Sequence, residues 1–106
     1  YNLPFRKMLD GKKILVTGGT GSFGKQFIGT VLDRYEPDKL IVFSRDKLKQ
    51  FQMQETFPYE PGGPMIRYFI GDIRDLRRLR FAMEGVDEVI SFLPHFILHE
   101  IKTGDL

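Results

Sequence analysis

The chain has 106 residues, 42% of them apolar and 28% charged, with a formal net charge of +2. That length is one domain's worth, and that balance belongs to a globular chain with a real core rather than a disordered or membrane-spanning one. The absence of cysteine excludes disulfides, thiolate metal sites and cysteine nucleophiles, while no run approaches the roughly 18 to 20 apolar residues of a spanning helix and no apolar signal core opens the sequence, so a cytoplasmic location is expected.

Residues 1–11, with Pro4 and mixed charge, read as a surface leader from which Phe5, Met8 and Leu9 can pack on a sheet. Residues 12–92 form the main unit. It opens with Lys13-Ile14-Leu15-Val16-Thr17, an apolar run that stops at Gly18-Gly19-Thr20-Gly21-Ser22-Phe23-Gly24. An amphipathic pattern follows, so the segment reads as buried strand, tight loop, helix. Gly18, Gly21 and Gly24 are spaced G-x-x-G-x-x-G, one residue wider at the first gap than the dinucleotide fingerprint. In that fingerprint one glycine makes the turn, one lets backbone approach the pyrophosphate and one lets helix and strand pack closely, with helix N–H groups facing the phosphates. An ordinary glycine-rich turn is the competing reading.

The first helix is expected to run to about Tyr35, with Phe23, Phe27, Val31 and Gly24, Ile28, Leu32, Tyr35 at helical spacing, before Glu36-Pro37-Asp38 breaks it. Lys39 to Ser44 is the second strand. Asp46 is placed to cap a second helix that carries Leu48, Phe51 and Met53 toward Phe57. Residues 58–64 are loop, Ile66 to Ile70 the third strand, Asp75 the start of a third helix ending near Glu84-Gly85, and Val86 to Phe92 a fourth strand. Strand and helix alternate without a hairpin signal. This predicts an α/β fold: the first half of a doubly wound, Rossmann-like parallel sheet in the order 3-2-1-4.

Arg74, Arg77, Arg78 and Arg80 form the one dense basic patch, but Leu76, Leu79 and Met83 are interleaved with them as a buried stripe, which favours a solvated helix face over a nucleic-acid surface. Residues 93–106 are a divergent tail. His95 and His99 would share a helix face there, yet two histidines are too few ligands for a metal.

A second determinant stands at the end of the second strand, 21 positions after Gly24. An acidic residue there bonds the ribose 2′-hydroxyl of NAD, whereas an arginine accommodates the 2′-phosphate of NADP. Ser44-Arg45 argues for NADP; were Asp46 to take the ribose, NAD would be restored. Asp72, past the third strand, lies at the same edge and is placed either to accept from an adenine amino group or to cap the following helix.

Thr17 to Gly24, Phe43-Ser44-Arg45-Asp46, Phe69-Ile70-Gly71-Asp72-Ile73-Arg74-Asp75 and Ala82-Met83-Glu84-Gly85-Val86-Asp87 together resemble the N-terminal part of the UDP-N-acetylglucosamine 4,6-dehydratases of bacterial polysaccharide and flagellin-glycan synthesis, in the extended short-chain dehydrogenase/reductase superfamily. The resemblance spans roughly residues 10–90. It implies a bound NADP serving as a hydride store for a UDP-sugar, with Gly18, Thr20, Gly21, Ser22, Phe23 and Gly24 at the diphosphate, Ser44 and Arg45 at the 2′-phosphate, and Asp72 and Ile73 at the adenine. Ser91-Phe92-Leu93-Pro94-His95 departs from the family's alanine-rich turn, and the family's Tyr-x-x-x-Lys segment lies past the end of this sequence, so the resemblance carries over no catalytic residue.

Three classes of function therefore stand: the cofactor-binding part of such a dehydratase, inactive alone as a truncated product or a piece of a longer chain; a non-catalytic NADP-binding or interaction module; and a fragment of a sugar-nucleotide epimerase. An open edge at the fourth strand, with Val89, Ile90 and Phe92, leads to an expected homo-oligomer.

Overall fold

The computed structural model describes residues 8–62 and 65–92. Phe5, the Gly63-Pro64 pair and the tail with His95 and His99 lie outside the described residues. Four strands, β1 (Lys13–Thr17), β2 (Lys39–Ser44), β3 (Ile66–Ile70) and β4 (Glu88–Ser91), alternate with three helices, α1 (Ser22–Arg34), α2 (Lys47–Thr56) and α3 (Leu76–Ala82). All strand pairs are parallel and the order is β3-β2-β1-β4, as the alternation of elements predicts. Chain progression reverses direction across the sheet between β1 and β4. In open α/β sheets this switch point is where ligands collect, outside the carboxyl ends of the strands.

The two central strands are apolar along their middles, Ile14 to Val16 and Leu40 to Phe43, because both faces of the sheet are covered. Ile14, Val16, Leu40 and Val42 point to one side, where Ile28 and Val31 of α1 and Met53 of α2 close over them. Leu15, Ile41 and Phe43 point to the other, against Leu79 and Ala82 of α3. Full burial of each such side chain contributes about 1.5 to 3 kcal/mol. The sheet is therefore held as a sandwich. Its amino-terminal edge is tied to the segment before Lys12: Leu9 is buried, the Gly11 N–H donates to the Glu36 carbonyl at 2.8 Å, and the Glu36 N–H donates to Asp10 Oδ1 at 2.8 Å.

Three apolar stripes differ from expectation. In α1 the inward positions are Gly24, Ile28 and Val31, while Phe23 is 79% exposed: it falls one residue off the stripe, at the carboxyl edge of the sheet. In α2 Leu48 and Phe51 face solvent and the inward residues are Gln50 and Met53. At about 100° per residue the pair Leu48 and Phe51 lies opposite the face made by Gln50, Met53 and Phe57. In α3 Leu79 is fully buried but Leu76 is exposed, because Asp75, the cap, leaves Leu76 at the outer rim of the first turn. β4 is shorter than expected. Val89 and Ile90 pack partly against the two cores, one on each face, and Phe92 sets its ring 5.6 Å from that of Phe27.

The packing of α1 depends on two glycines. Gly18 has φ +69, a left-handed turn that an L side chain resists. A Cβ on Gly24 would fall 2.4 Å from the Gly19 Cα and 2.6 Å from the Gly19 carbonyl carbon and oxygen. Those are backbone atoms, which cannot swing aside. At Gly21, by contrast, a Cβ would find only the Gly18 carbonyl oxygen, at 3.8 Å. Gly24→Ala is therefore expected to cost about 2 kcal/mol or more and to lower the melting temperature by roughly 8 °C or more, while Gly21→Ala moves it by less than about 3 °C. Thermal unfolding followed by circular dichroism checks the pair; equal shifts in the two variants would contradict this packing.

Candidate functional site

Because the strands are parallel, the residues that follow all four emerge at one edge, where one backbone bond joins the exits of β3 and β2 and another those of β4 and β1. The Gly71 N–H donates to the Ser44 carbonyl at 3.0 Å, and the Phe92 N–H donates to the Thr17 carbonyl at 3.0 Å. The glycine loop, the Ser44-Arg45 step and the Gly71-Asp72-Ile73 turn are thus neighbours, although 24 to 27 residues separate the groups that touch.

The amino end of α1 is open. Gly21 is its N-cap, with no side chain to accept from the helix, and no acidic residue lies in the first turn. The other two helices are capped: Asp46 Oδ1 accepts from the Lys49 N–H at 3.0 Å, and Asp75 Oδ1 accepts from the Arg78 N–H at 3.2 Å. The first-turn N–H groups of α1, on Ser22, Phe23 and Gly24, have no intrahelical acceptor and carry the positive end of the helix dipole. Such an end favours an anion.

Thr20 reaches across to β2, with its Oγ1 3.3 Å from Ser44 Oγ, and Ser44 Oγ also accepts from the Asp46 N–H at 3.2 Å. Asp46 is thereby committed to capping α2. Beside it the Arg45 side chain is 72% exposed, and among the described residues its guanidinium donates from Nη1 to Asp72 Oδ2 at 3.5 Å. Behind this arm, Gln50 is buried and its Nε2 faces the carbonyls of Phe69 at 3.1 Å, Ser44 at 3.3 Å and Val42 at 3.4 Å. It joins the ends of β2 and β3 and sets where Ser44 stands. The sequence pattern gave no sign of Gln50, because a buried amide carries no apolar marker.

Asp72 does not cap the following helix. The helix cap is Asp75, while Asp72 sits in the turn before it and is gripped by Arg74: Oδ1 accepts from the Arg74 N–H at 3.0 Å and Nε at 3.2 Å, and Oδ2 accepts from Nη2 at 2.8 Å. The Arg74 side-chain bonds, then its backbone N–H, then the charges of Arg74 and Arg45 hold the carboxyl well below the usual carboxylate range. Ile73 packs partly against the core beneath α3. Of the expected basic patch, Arg74 and Arg78 are engaged in the fold. Arg78 Nε donates to the Ile70 carbonyl at 2.8 Å, and its guanidinium lies 4.2 Å from the Phe69 ring centre.

Tyr35 and Lys39 have the Tyr-x-x-x-Lys spacing. They flank the start of β2, at the edge of the sheet away from the glycine loop, and so lie apart from the site.

A sequence profile of the polysaccharide biosynthesis protein family matches residues 14–94. This chain belongs to that family. It is 53% identical over 83 residues to the inverting UDP-N-acetylglucosamine 4,6-dehydratase of Campylobacter jejuni subsp. jejuni, covering 78% of this chain and 24% of the relative. The crystal structure of Pen from Bacillus thuringiensis superposes with a TM-score of 0.70 at 40% identity, over 80% of this chain and 25% of that one. Uronate dehydrogenase from Agrobacterium tumefaciens, complexed with NAD, shares the fold with a TM-score of 0.54 at 21% identity, over 76% of this chain and 26% of its own. The family member described here therefore spans about a quarter of the length of these relatives. No helix among its described residues is long and apolar enough to cross a membrane.

The Asp72 interaction has a definite pH signature. Its folded-state value lies below the ordinary 3.8, so the stabilisation is present above about pH 4 and is lost as pH falls below it. The group is one-third exposed, which keeps the effect small and salt-sensitive. Asp72→Asn is expected to lower the melting temperature slightly at pH 7, with a gap to wild type that narrows steadily as pH falls from about 4 toward 2. A gap that stays constant between pH 7 and pH 2 would contradict the ion-pair account.

Proposed function

We propose that this chain is the NADP-binding portion of a sugar-nucleotide dehydratase of the UDP-N-acetylglucosamine 4,6-dehydratase type, working on a UDP-sugar in the cytoplasm. The observation that carries the cofactor choice is Arg45: an exposed guanidinium at the carboxyl end of β2, beside a serine hydroxyl and with its neighbouring carboxylate already used as a helix cap. An arginine in this place accommodates a 2′-phosphate. The 53% identity to the Campylobacter dehydratase supports the reaction class.

The residues present fit the group. Gly21 leaves the approach to α1 free of any Cβ, and the unfilled N–H groups of Ser22, Phe23 and Gly24 are suited to a diphosphate. The left-handed turn at Gly18 aims the loop at that position. When Thr20 donates to Ser44 Oγ, that oxygen has accepted two hydrogen bonds and its own proton is free for the 2′-phosphate. Arg45 then adds a charge-assisted contact. Asp72 and Ile73 border the adenine, one as acceptor and one as apolar wall.

Bound NADP would supply a temporary store for the hydride taken from and returned to the sugar. This chain's part is to bind and orient the cofactor; none of its residues is assigned to proton transfer on the sugar.

A charge-assisted contact of about 1.5 to 3 kcal/mol corresponds to about ten- to a hundredfold in affinity. Arg45→Ala is expected to weaken NADP binding by that factor and to leave NAD binding nearly unchanged, as read by isothermal titration with both cofactors. Equal affinity of the unaltered chain for NADP and NAD would overturn the assignment.

A further inference from the structure

The bonds that Arg74 makes to Asp72 place its charge beside the corner formed by Ser44, Arg45 and Asp72. Two carboxylates, Asp46 and Asp72, stand close to Arg45. Asp46 faces away into the first turn of α2, where the Lys49 N–H holds it and Lys47 and Lys49 lie on the same turn. Asp72 is the one within reach of the Arg45 guanidinium. A carboxylate there has two ways to oppose a 2′-phosphate: by pairing with Arg45 itself, and by repelling the phosphate directly.

The observed geometry suppresses both. Arg74 fills Asp72 in a bidentate fork plus a backbone N–H, so three of the four close donors to Asp72 belong to Arg74. Arg45 is left with a single contact at 3.5 Å, against 2.8 Å for Arg74, and remains largely exposed. Its guanidinium is therefore only weakly held. A phosphate placed on it would lie within about one Debye length, 10 Å at 0.1 M salt, of the Asp72 carboxylate, and the charge on Arg74 offsets that repulsion.

We propose that Arg74 is a positioning residue for cofactor selection: by occupying Asp72 it keeps Arg45 free for a 2′-phosphate and cancels the carboxylate's repulsion of that phosphate, so that the site takes NADP over NAD. This rests on the reading in which Arg45 receives the 2′-phosphate. The same exchange has a second effect. As Arg45 turns from Asp72 to the phosphate it vacates a lone pair on Oδ2, which becomes available to the adenine amino group. With NAD, which has no 2′-phosphate, Arg45 has no reason to leave.

The test is a double-mutant cycle read as dissociation constants for NADP and NAD, at 0.1 M salt, on the unaltered chain, Arg74→Ala, Asp72→Asn and the double variant, with melting curves to establish that each is folded. Arg74→Ala is expected to weaken NADP binding about fivefold or more and to change NAD binding by less than about twofold. Adding Asp72→Asn removes the charge that Arg74 offsets, so the double variant is expected within about twofold of Asp72→Asn alone. A merely structural Arg74 would lower both affinities together, and an Arg74 that itself grips the phosphate would leave the NADP loss in the double variant. Either result overturns the proposal, as does an unchanged NADP affinity in Arg74→Ala. Arg74→Gln carries the same test should the alanine variant unfold. Arg45→Ala, measured alongside, separates the two levels: an NADP preference that survives it defeats the reading of Arg45 itself, whatever Arg74 does.

Discussion

The approach of α1 to the loop that precedes it is limited by backbone, not by side chains. With no Cβ on Gly24, the first turn of the helix lies directly against Gly19, and this contact fixes where the helix begins and where its free N–H groups point. From it follow the stacking of Ile28 and Val31 on Ile14 and Val16, and the open amino end over the carboxyl edge of the sheet. A helix displaced by even an ångström would lose packing along its whole buried face, because interiors are close-packed and tolerate little change in volume. The parallel sheet then does the rest of the placement. It delivers the ends of β1, β2 and β3 to one edge, so that residues far apart in sequence form a single corner.

Within that corner, rigid and adaptable parts are separated. Gln50, Thr20 and the Asp46 cap fix the backbone around Ser44, whereas the Arg45 side chain extends into solvent with one weak contact. An ordered backbone with a movable guanidinium is suited to gripping an anion, since little has to be broken on binding. The Asp72–Arg74 fork belongs to the rigid part. It leaves a carboxylate that stands beside the Arg45 guanidinium already satisfied by another partner.

Much of this was legible in the residues. The unbroken apolar runs of β1 and β2, the glycine spacing and the breaks at Glu36-Pro37-Asp38 and Pro58 to Pro64 placed the four strands and three helices in the right order, because each reflects a local backbone or solvation requirement. Asp46 was readable as a cap and Asp75 as the start of α3 for the same reason, while the cap of α3 was open between Asp72 and the residues after it. What escaped reading depends on tertiary geometry. Leu48 and Phe51 look like a core stripe and are not, since the face that α2 buries is chosen by the strands beneath it and centres on Gln50. Phe23 follows the same rule at the end of α1. The fork of Arg74 on Asp72 was hidden because it depends on the turn between them, and a run of arginines in sequence does not tell which one turns inward.

The central claim is that a dinucleotide lies across the carboxyl edge of this sheet, from the amino end of α1 to the turn at Asp72. Amide ¹H–¹⁵N correlation spectra recorded during a titration with NADP test it most directly. The account predicts shifts concentrated at residues 18–24, 44–46 and 71–74, with residues 35–39 at the opposite edge unmoved. Shifts centred on residues 35–39, or spread evenly over α2 and α3 with residues 18–24 unchanged, would contradict it.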